Sequence, residues 1–362
     1  MKVSNRFLYY QLVKDLNQNT ERLFRLSNQI SSGRRISTPS DDPIGLSSVL
    51  IYRTELNAFG QYKKAVQYAT GWLNRMDSVL QDTDDLLARA SELAVQASSS
   101  TSTAATRSGA AEEIEQIRTM VLANANAKYG NKYLFSGTMT QTQPFIWVDA
   151  ENLLDDVETM ADAAPASPAE GDRYINAADG HIYQYGSGVW QDLGAPVEGQ
   201  AAMVADRGMI YVYTGGTWKS MYQGNDSTFS MTIGKDNTAQ INIPGSSIFL
   251  NSSGNVLVSL LMLERALRNN DVEGIRNQLD TVEDASKVLS DNLAFVGAVA
   301  NKLEHTGTVL ERSSVDTQAM VSNIEDLDYA QAITDLQNQQ TIYEAALKSA
   351  SMITSLSLVD FI

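Results

Sequence analysis

Apolar residues step by three and four at both ends of the chain. Near the N-terminus the series is Tyr9, Leu12, Leu16, Asn19, Leu23, Leu26 and Ile30; near the C-terminus it is Ile333, Leu336, Gln340, Tyr343, Leu347, Ala350, Thr354 and Ser357. Such alternation is the seam of helices packed side by side as a coiled coil. Longer seams lie inside these. Phe59, Tyr62, Val66, Ala69, Leu73, Met76, Leu80, Thr83, Leu87, Ala90, Ala94 and Ala97 predict one helix roughly 57 Å long at about 1.5 Å per residue. A Ser/Thr stretch at 98–103 ends it, and a shorter helix follows over about 110–128 with Ile114, Ile117 and Val121 on one face. From Ile275 through Leu279, Val282, Leu289, Val296, Leu303, Leu310 and Val321 to Ile324 the alternation returns. Each half thus holds a short terminal helix and a long inner one. The simplest packing pairs short with short and long with long, as a hairpin with both ends together.

The two breaks between short and long helices differ in kind. After Ile30 come Gly33, suited to the left-handed position past a helix end, Pro39, which blocks continuation, and Asp42-Pro43, an N-cap followed by proline at the first helical position. The second break, around Asp326-Leu327-Asp328, has neither Gly nor Pro. The expectation there is a helix that runs through with a shifted face.

Residues 144–250 follow another period. Phe229–Ile233 and Ala239–Ile243 alternate as strands do. A tandem repeat with a spacing of 28 occupies 168–190 and 196–218: Pro168-Ala169-Glu170-Gly171 recurs as Pro196-Val197-Glu198-Gly199, and both copies continue Gly-x-Ile-Tyr-x-Tyr-x-x-Gly-x-Trp. Each copy reads as strand, Gly-containing turn and returning strand opened by Trp190 or Trp218. The expectation is that the two hairpins pack their aromatics together. The fold class is therefore α+β, a long antiparallel helical core from the N- and C-terminal halves with an inserted all-β outer domain. The expected divisions are 1–143 (with 1–40 a terminal assembly helix), 144–250, and 251–362 (with 325–362 a terminal assembly helix).

Composition narrows the function. The 362 residues carry a net charge of −16, which argues against nucleic acid, since phosphate binding needs clustered Lys and Arg. Cysteine is absent, so disulfide and thiolate chemistry are excluded. No apolar run approaches the roughly 20 residues of a membrane span, and the charged first thirty residues do not form a cleaved signal peptide. The two histidines, His181 and His305, lack the neighbours of a triad or metal site. Asp41-Asp42 reads as helix capping before acid–base chemistry, and Gly186-Ser187-Gly188 and Thr214-Gly215-Gly216 read as turns, since no helix or Lys-Ser/Thr follows them. No catalytic residue, cofactor or metal is expected. A glycosidase would need two carboxylates across a cleft, and the spacing picks out no such pair. Tyr185, Trp190, Tyr213 and Trp218 are either the core of the β module or flat surfaces for an external ligand such as a sugar ring. The polar seam residues Asn19 and Gln340 cost stability but fix register and partner number, which points to terminal helices that order on assembly.

Several stretches carry a family resemblance: Ser32-Gly33-Arg34-Arg35-Ile36 with Pro39-Ser40-Asp41-Asp42-Pro43; Gly130-Asn131-Lys132-Tyr133-Leu134-Phe135-Ser136-Gly137-Thr138, closed by Pro144-Phe145; Glu325-Asp326-Leu327-Asp328-Tyr329-Ala330 through Leu347; and the tail 355–362. In these the chain resembles the flagellin superfamily over about 1–145 and 219–362, and within it the hook-associated proteins at the hook–filament junction, because flagellins proper usually lack prolines around the Asp pair. The resemblance implies a non-enzymatic adaptor, exported unfolded by the flagellar type III pathway. A cytoplasmic chaperone would hold its C-terminal helix before export. Copies would then form a ring between an adjacent hook-associated protein on the hook side and flagellin on the filament side. The implied assembly surface is Leu12, Leu16, Leu23, Leu26, Ile30, Ile333, Leu336, Tyr343, Leu347, Ala350, Leu356 and Leu358. Residues 146–218 depart from the family and are similar to a small module of unknown function from phage tail-like proteins. A minor flagellin, or a surface-exposed binding protein using the aromatic insert, is the alternative.

Overall fold

The computed structural model describes residues 2–251 and 254–359, with side chains for these apart from 2–6, 8, 9, 155, 156 and 353–359. The expectations placed on Tyr9, Thr354, Leu356, Ser357, Leu358 and the last three residues therefore lie outside the described residues. The helices are α1 (Lys2–Ser32), α2 (Pro43–Ser98), α3 (Ala104–Ala125), α4 (Gly245–Phe249), α5 (Val256–Arg268), α6 (Val272–Glu325) and α7 (Tyr329–Val359). The chain divides into two compact units: Met1–Lys63 with Thr308–Ile362, and Lys64–Gly307.

The first unit contains the paired terminal helices α1 and α7. Gly33 takes φ +71° at the end of α1. The Asp42 carboxylate accepts the Gly45 N–H at 2.9 Å, so α2 starts at Pro43 as its cap requires. The second break corrects the sequence expectation: the helix does not run through. α6 stops at Glu325 and α7 begins at Tyr329. Asp328 caps the new helix, accepting the Gln331 N–H at 3.1 Å.

The second unit is built on the inner stretches of α2 and α6. Leu73, Met76, Leu80, Thr83, Leu87, Ala90, Ala94 and Ala97 of α2 are buried, as are Ile275, Val282, Leu289, Val296 and Leu303 of α6. Ser286 donates to Asp84 across them at 2.7 Å. Gly307, on the α6 seam, lies in van der Waals contact with Val66. The third helix starts earlier than expected because Thr103 caps it through the Thr106 N–H. α3 packs on α5 around a buried ion pair, Arg118 Nε to Glu264 at 2.8 Å. Burial lowers the Arg118 pKa, with Glu264 opposing that shift. Trp72 is fully buried and meets Tyr129 and Phe229 edge-on.

The strands are β1 (Lys128–Tyr129), β2 (Lys132–Tyr133), β3 (Leu153–Ala161), β4 (Arg173–Asn176), β5 (Ile182–Gly186), β6 (Val189–Asp192), β7 (Ala201–Val204), β8 (Met209–Thr214), β9 (Thr217–Ser220), β10 (Ser230–Gly234) and β11 (Asn237–Gln240). The sequence repeat folds as two three-stranded meanders flanking β3, giving the order β6-β5-β4-β3-β7-β8-β9. β10 and β11 form a separate hairpin. Both β4 and β7 run parallel to β3. Identical meanders on opposite sides of one parallel strand are related by a half-turn about that strand, which sends equivalent side chains to opposite faces. That geometry overturns the expectation that the two sets of aromatics pack together. Trp218, Tyr211 and Tyr213 join Val157, Ile175, Ile182, Ala202 and Val204 in one core. The sheet curls until Trp218 Nε1 donates to the Gly180 carbonyl in the β4–β5 turn at 2.8 Å. Trp190 instead packs on Tyr174 and Tyr185 on the other face.

The shared Pro-x-Glu-Gly has a local purpose. Glu170 accepts the Ser187 N–H at 2.9 Å, and 28 residues on Glu198 accepts the Gly215 N–H at 3.0 Å. These carboxylates pin hairpin turns whose two central residues both have positive φ, Ser187-Gly188 and Gly215-Gly216. The Thr214 hydroxyl and then the Gly215 N–H hold the Glu198 pKa low.

Candidate assembly interface

The pairing of α1 with α7 uses the spacing of α1 directly. Leu12, Leu16, Asn19, Leu23, Leu26 and Ile30 are all half-buried. On α7 the inward face is Ala332, Leu336, Gln339, Tyr343, Ala346 and Ala350, with Ala332 fully buried. That face is displaced from the expected series: Ile333, Gln340 and Leu347 point outward. The polar position is real but its occupant differs, since Gln339 donates to the Asn19 side-chain oxygen at 3.0 Å.

The other face of the pair is apolar and open. Phe7 is 69% exposed, Tyr10 60% and Phe24 67%. Ile333, Ile342, Leu347 and Met352 continue this character on α7. Large apolar residues rarely stay this exposed in such numbers on a surface that contacts only water. Charge divides the same way along the chain: residues 1–63 carry nine Lys and Arg against five Asp and Glu, and residues 308–362 carry two against eight. A cleft of about 350 Å³ beside the pair is lined by Arg22, Arg25, Leu26, Gln29, Asp335, Asn338 and Gln339.

At its base the pair is tied by the two helix breaks. The Leu327 N–H donates to the Gly33 carbonyl at 3.0 Å and the Arg35 N–H to the Glu325 carbonyl at 2.7 Å. Glu325 is 5% exposed. Its carboxylate accepts from Arg34 Nε at 3.1 Å and from Arg53 Nη2 at 2.8 and 2.7 Å. Arg35 donates onward to the Ile324 carbonyl at 2.9 Å. The loop leading to α2 is fixed by Asp41, which accepts the Ser37 and Thr38 N–H groups at 3.1 and 3.0 Å. These bonds, Thr38 first and Ser37 second, hold the Asp41 carboxyl below the usual range. The Asp pair therefore works as turn and cap. Two motifs that stand some 290 residues apart in sequence form one structure, a closeness that no local pattern announces.

The aromatic candidates occupy unlike environments. Trp218 is buried and Tyr213 packs against the sheet core. Tyr185 and Trp190 are half-buried on the opposite face. Nearby, His181 Nδ1 lies 3.0 Å from Asp192, whose hydrogen bond raises the histidine pKa. Asp179 accepts from the Tyr183 hydroxyl, which is pushed up to about 12 chiefly by that bond. Among the described residues no group of three or more His, Asp or Glu side chains is placed to hold a metal, and no helix is long and apolar enough to cross a membrane.

Comparison with known proteins follows the helices. Residues 3–140 match the model of the bacterial flagellin N-terminal helical region, and residues 279–362 match that of the C-terminal helical region. A flagellar hook-associated protein 3 from Escherichia coli is 31% identical over 146 residues, 40% of this chain and 46% of that protein. The chain thus spans about half the length of the curated relative it matches. Flagellin E of Vibrio cholerae is 22% identical over 351 residues, 92% of this chain and 91% of that one. Among solved structures, a hook-associated protein described as putative, from Vibrio parahaemolyticus, superposes with a TM-score of 0.55 at 15% identity. It covers 79% of this chain and all of that one, a likeness of fold.

Proposed function

The chain belongs to the flagellin superfamily, and on that premise we propose that it is a structural adaptor joining hook to filament in the bacterial flagellum. The observation that carries this reading is the terminal pair: two ends of one chain folded together with an apolar face left open. Such a face is built for other subunits. The relative named flagellar hook-associated protein 3 supports the junction over other places in the structure.

In this reading copies of the chain form a ring through Leu12, Leu16, Leu23, Leu26, Ile30, Leu336, Tyr343 and Ala350, which order the pair, and through the outward Ile333 and Leu347, which meet neighbours. An adjacent hook-associated protein lies on one side and flagellin on the other. A cytoplasmic chaperone holds α7 before export, and the working location is the extracellular flagellum. The chain has no catalytic activity and holds no cofactor. The likeness to Flagellin E over most of the chain supports a second reading, a minor filament subunit.

The two separate on deletion of the gene in its own bacterium, with cells and medium viewed by electron microscopy. Hooks without filaments, and flagellin shed as monomer, are expected of the junction role. Normal filaments would exclude it and leave the minor flagellin.

A further inference from the structure

Three segments far apart in sequence meet at one buried carboxylate. Gly33, Arg34 and Arg35 arrive from the end of α1, Arg53 from α2, and Ile324–Asp328 from the link between α6 and α7. We propose that this cluster is a latch which keeps α1 and α7 ordered as a pair, with Glu325 as its positioning residue.

The terminal pair has little else to hold it. Its inward face is half-buried along most of its length, and one position on that face is an Asn19–Gln339 hydrogen bond. Helices gain most of their stability from packing, so a thinly packed pair is marginal. The latch compensates by making each break depend on the other. Nothing local in Asp326-Leu327-Asp328 stops a helix. What stops it is the pair of backbone bonds to Gly33 and Arg35. Gly33 in turn sits under the Tyr329 hydroxyl, where an added Cβ would lie only 2.7 Å from that oxygen. A carboxylate as buried as Glu325 is tolerated only while it is paired and hydrogen-bonded, and Arg34 and Arg53 supply both. The contacts therefore form together or not at all. One chain end cannot take its final path until the other has arrived. The latch does not depend on the junction role, because it concerns the order of the pair in the free chain.

Hydrogen exchange on the full-length chain tests it, with Glu325→Gln, Arg53→Gln, the double variant and Gly33→Ala. In the wild type, amides of α1 and α7 should be protected. Glu325→Gln should speed their exchange about tenfold and leave residues 72–97 of α2 unchanged. The double variant should add nothing to Glu325→Gln, since both changes remove one interaction. Gly33→Ala should open the pair through the backbone, with the charges intact. The latch is overturned by unprotected terminal helices in the wild type, by unchanged exchange in Glu325→Gln, by additive effects of the two charge variants, or by equal loss of protection throughout the chain.

Discussion

Two seams in this molecule share one spacing and behave differently. In α2, residues from Val66 to Ala97 that step by three and four are buried to the last few per cent. In α1, residues from Leu12 to Ile30 that step the same way are only half-buried. The period sets which residues share a face; the partners set how well that face is covered. The inner seam of α2 is covered within its own unit by α6 and by the Trp72–Tyr129–Phe229 contacts. The seam of α1 has α7 alone within its unit. A face half-covered within one chain is a face that further copies can complete.

The contrast predicts a ranking of costs. Trp72→Ala should lose about 3–5 kcal/mol in chemical denaturation, since it empties a fully closed site. Leu23→Ala in α1 should lose less than about 1 kcal/mol, because half of that side chain is already in water. Equal losses would erase the distinction between the seams.

Ion pairs should divide the same way. Removing Glu264 leaves Arg118 buried and uncompensated, and Glu264→Ala should cost about 3–5 kcal/mol. The exposed Glu21–Arg25 pair on α1 should be worth at most about 1 kcal/mol when Glu21 is replaced by Ala.

Within the sheet, the half-turn between repeats makes equivalent tryptophans unequal. Trp218→Ala should destabilise by about 3 kcal/mol or more and Trp190→Ala by about 1 kcal/mol, measured by thermal unfolding. If the order reverses, the assignment of faces is wrong.

The sequence made some of this legible and hid the rest for physical reasons. The inner helices and hairpin turns were readable because period, Gly33, Asp42-Pro43 and the doubled glycines act locally. The stop after Glu325 was not, because its cause is Gly33 and Arg35, nearly 300 residues away. The inward face of α7 was misplaced for the same reason: the break resets the phase, and small Ala332 rather than Ile333 turns inward. Alternation along Ile-Tyr-x-Tyr showed that the strands have two faces. Which face would close required the parallel pairing of both repeats with β3. Glu170 and Glu198 could have been recognised as turn pins, since each recurs at the same distance ahead of a Gly-rich turn.

The smallest predicted effect concerns the polar step in the terminal seam. Replacing Asn19 and Gln339 together by Leu should stabilise the pair by about 1 kcal/mol. It should also loosen the choice of register and partner number, seen as mixed species in sedimentation.

The most direct test of an open face built for assembly is complementation of the deletion strain with a Phe24→Glu variant. Phe24 is 67% exposed, so the charge should leave the chain folded, with an unchanged circular dichroism melt. The account predicts that this folded variant fails to restore filaments. Full restoration of filaments would show that the exposed side of the terminal pair is not an assembly surface.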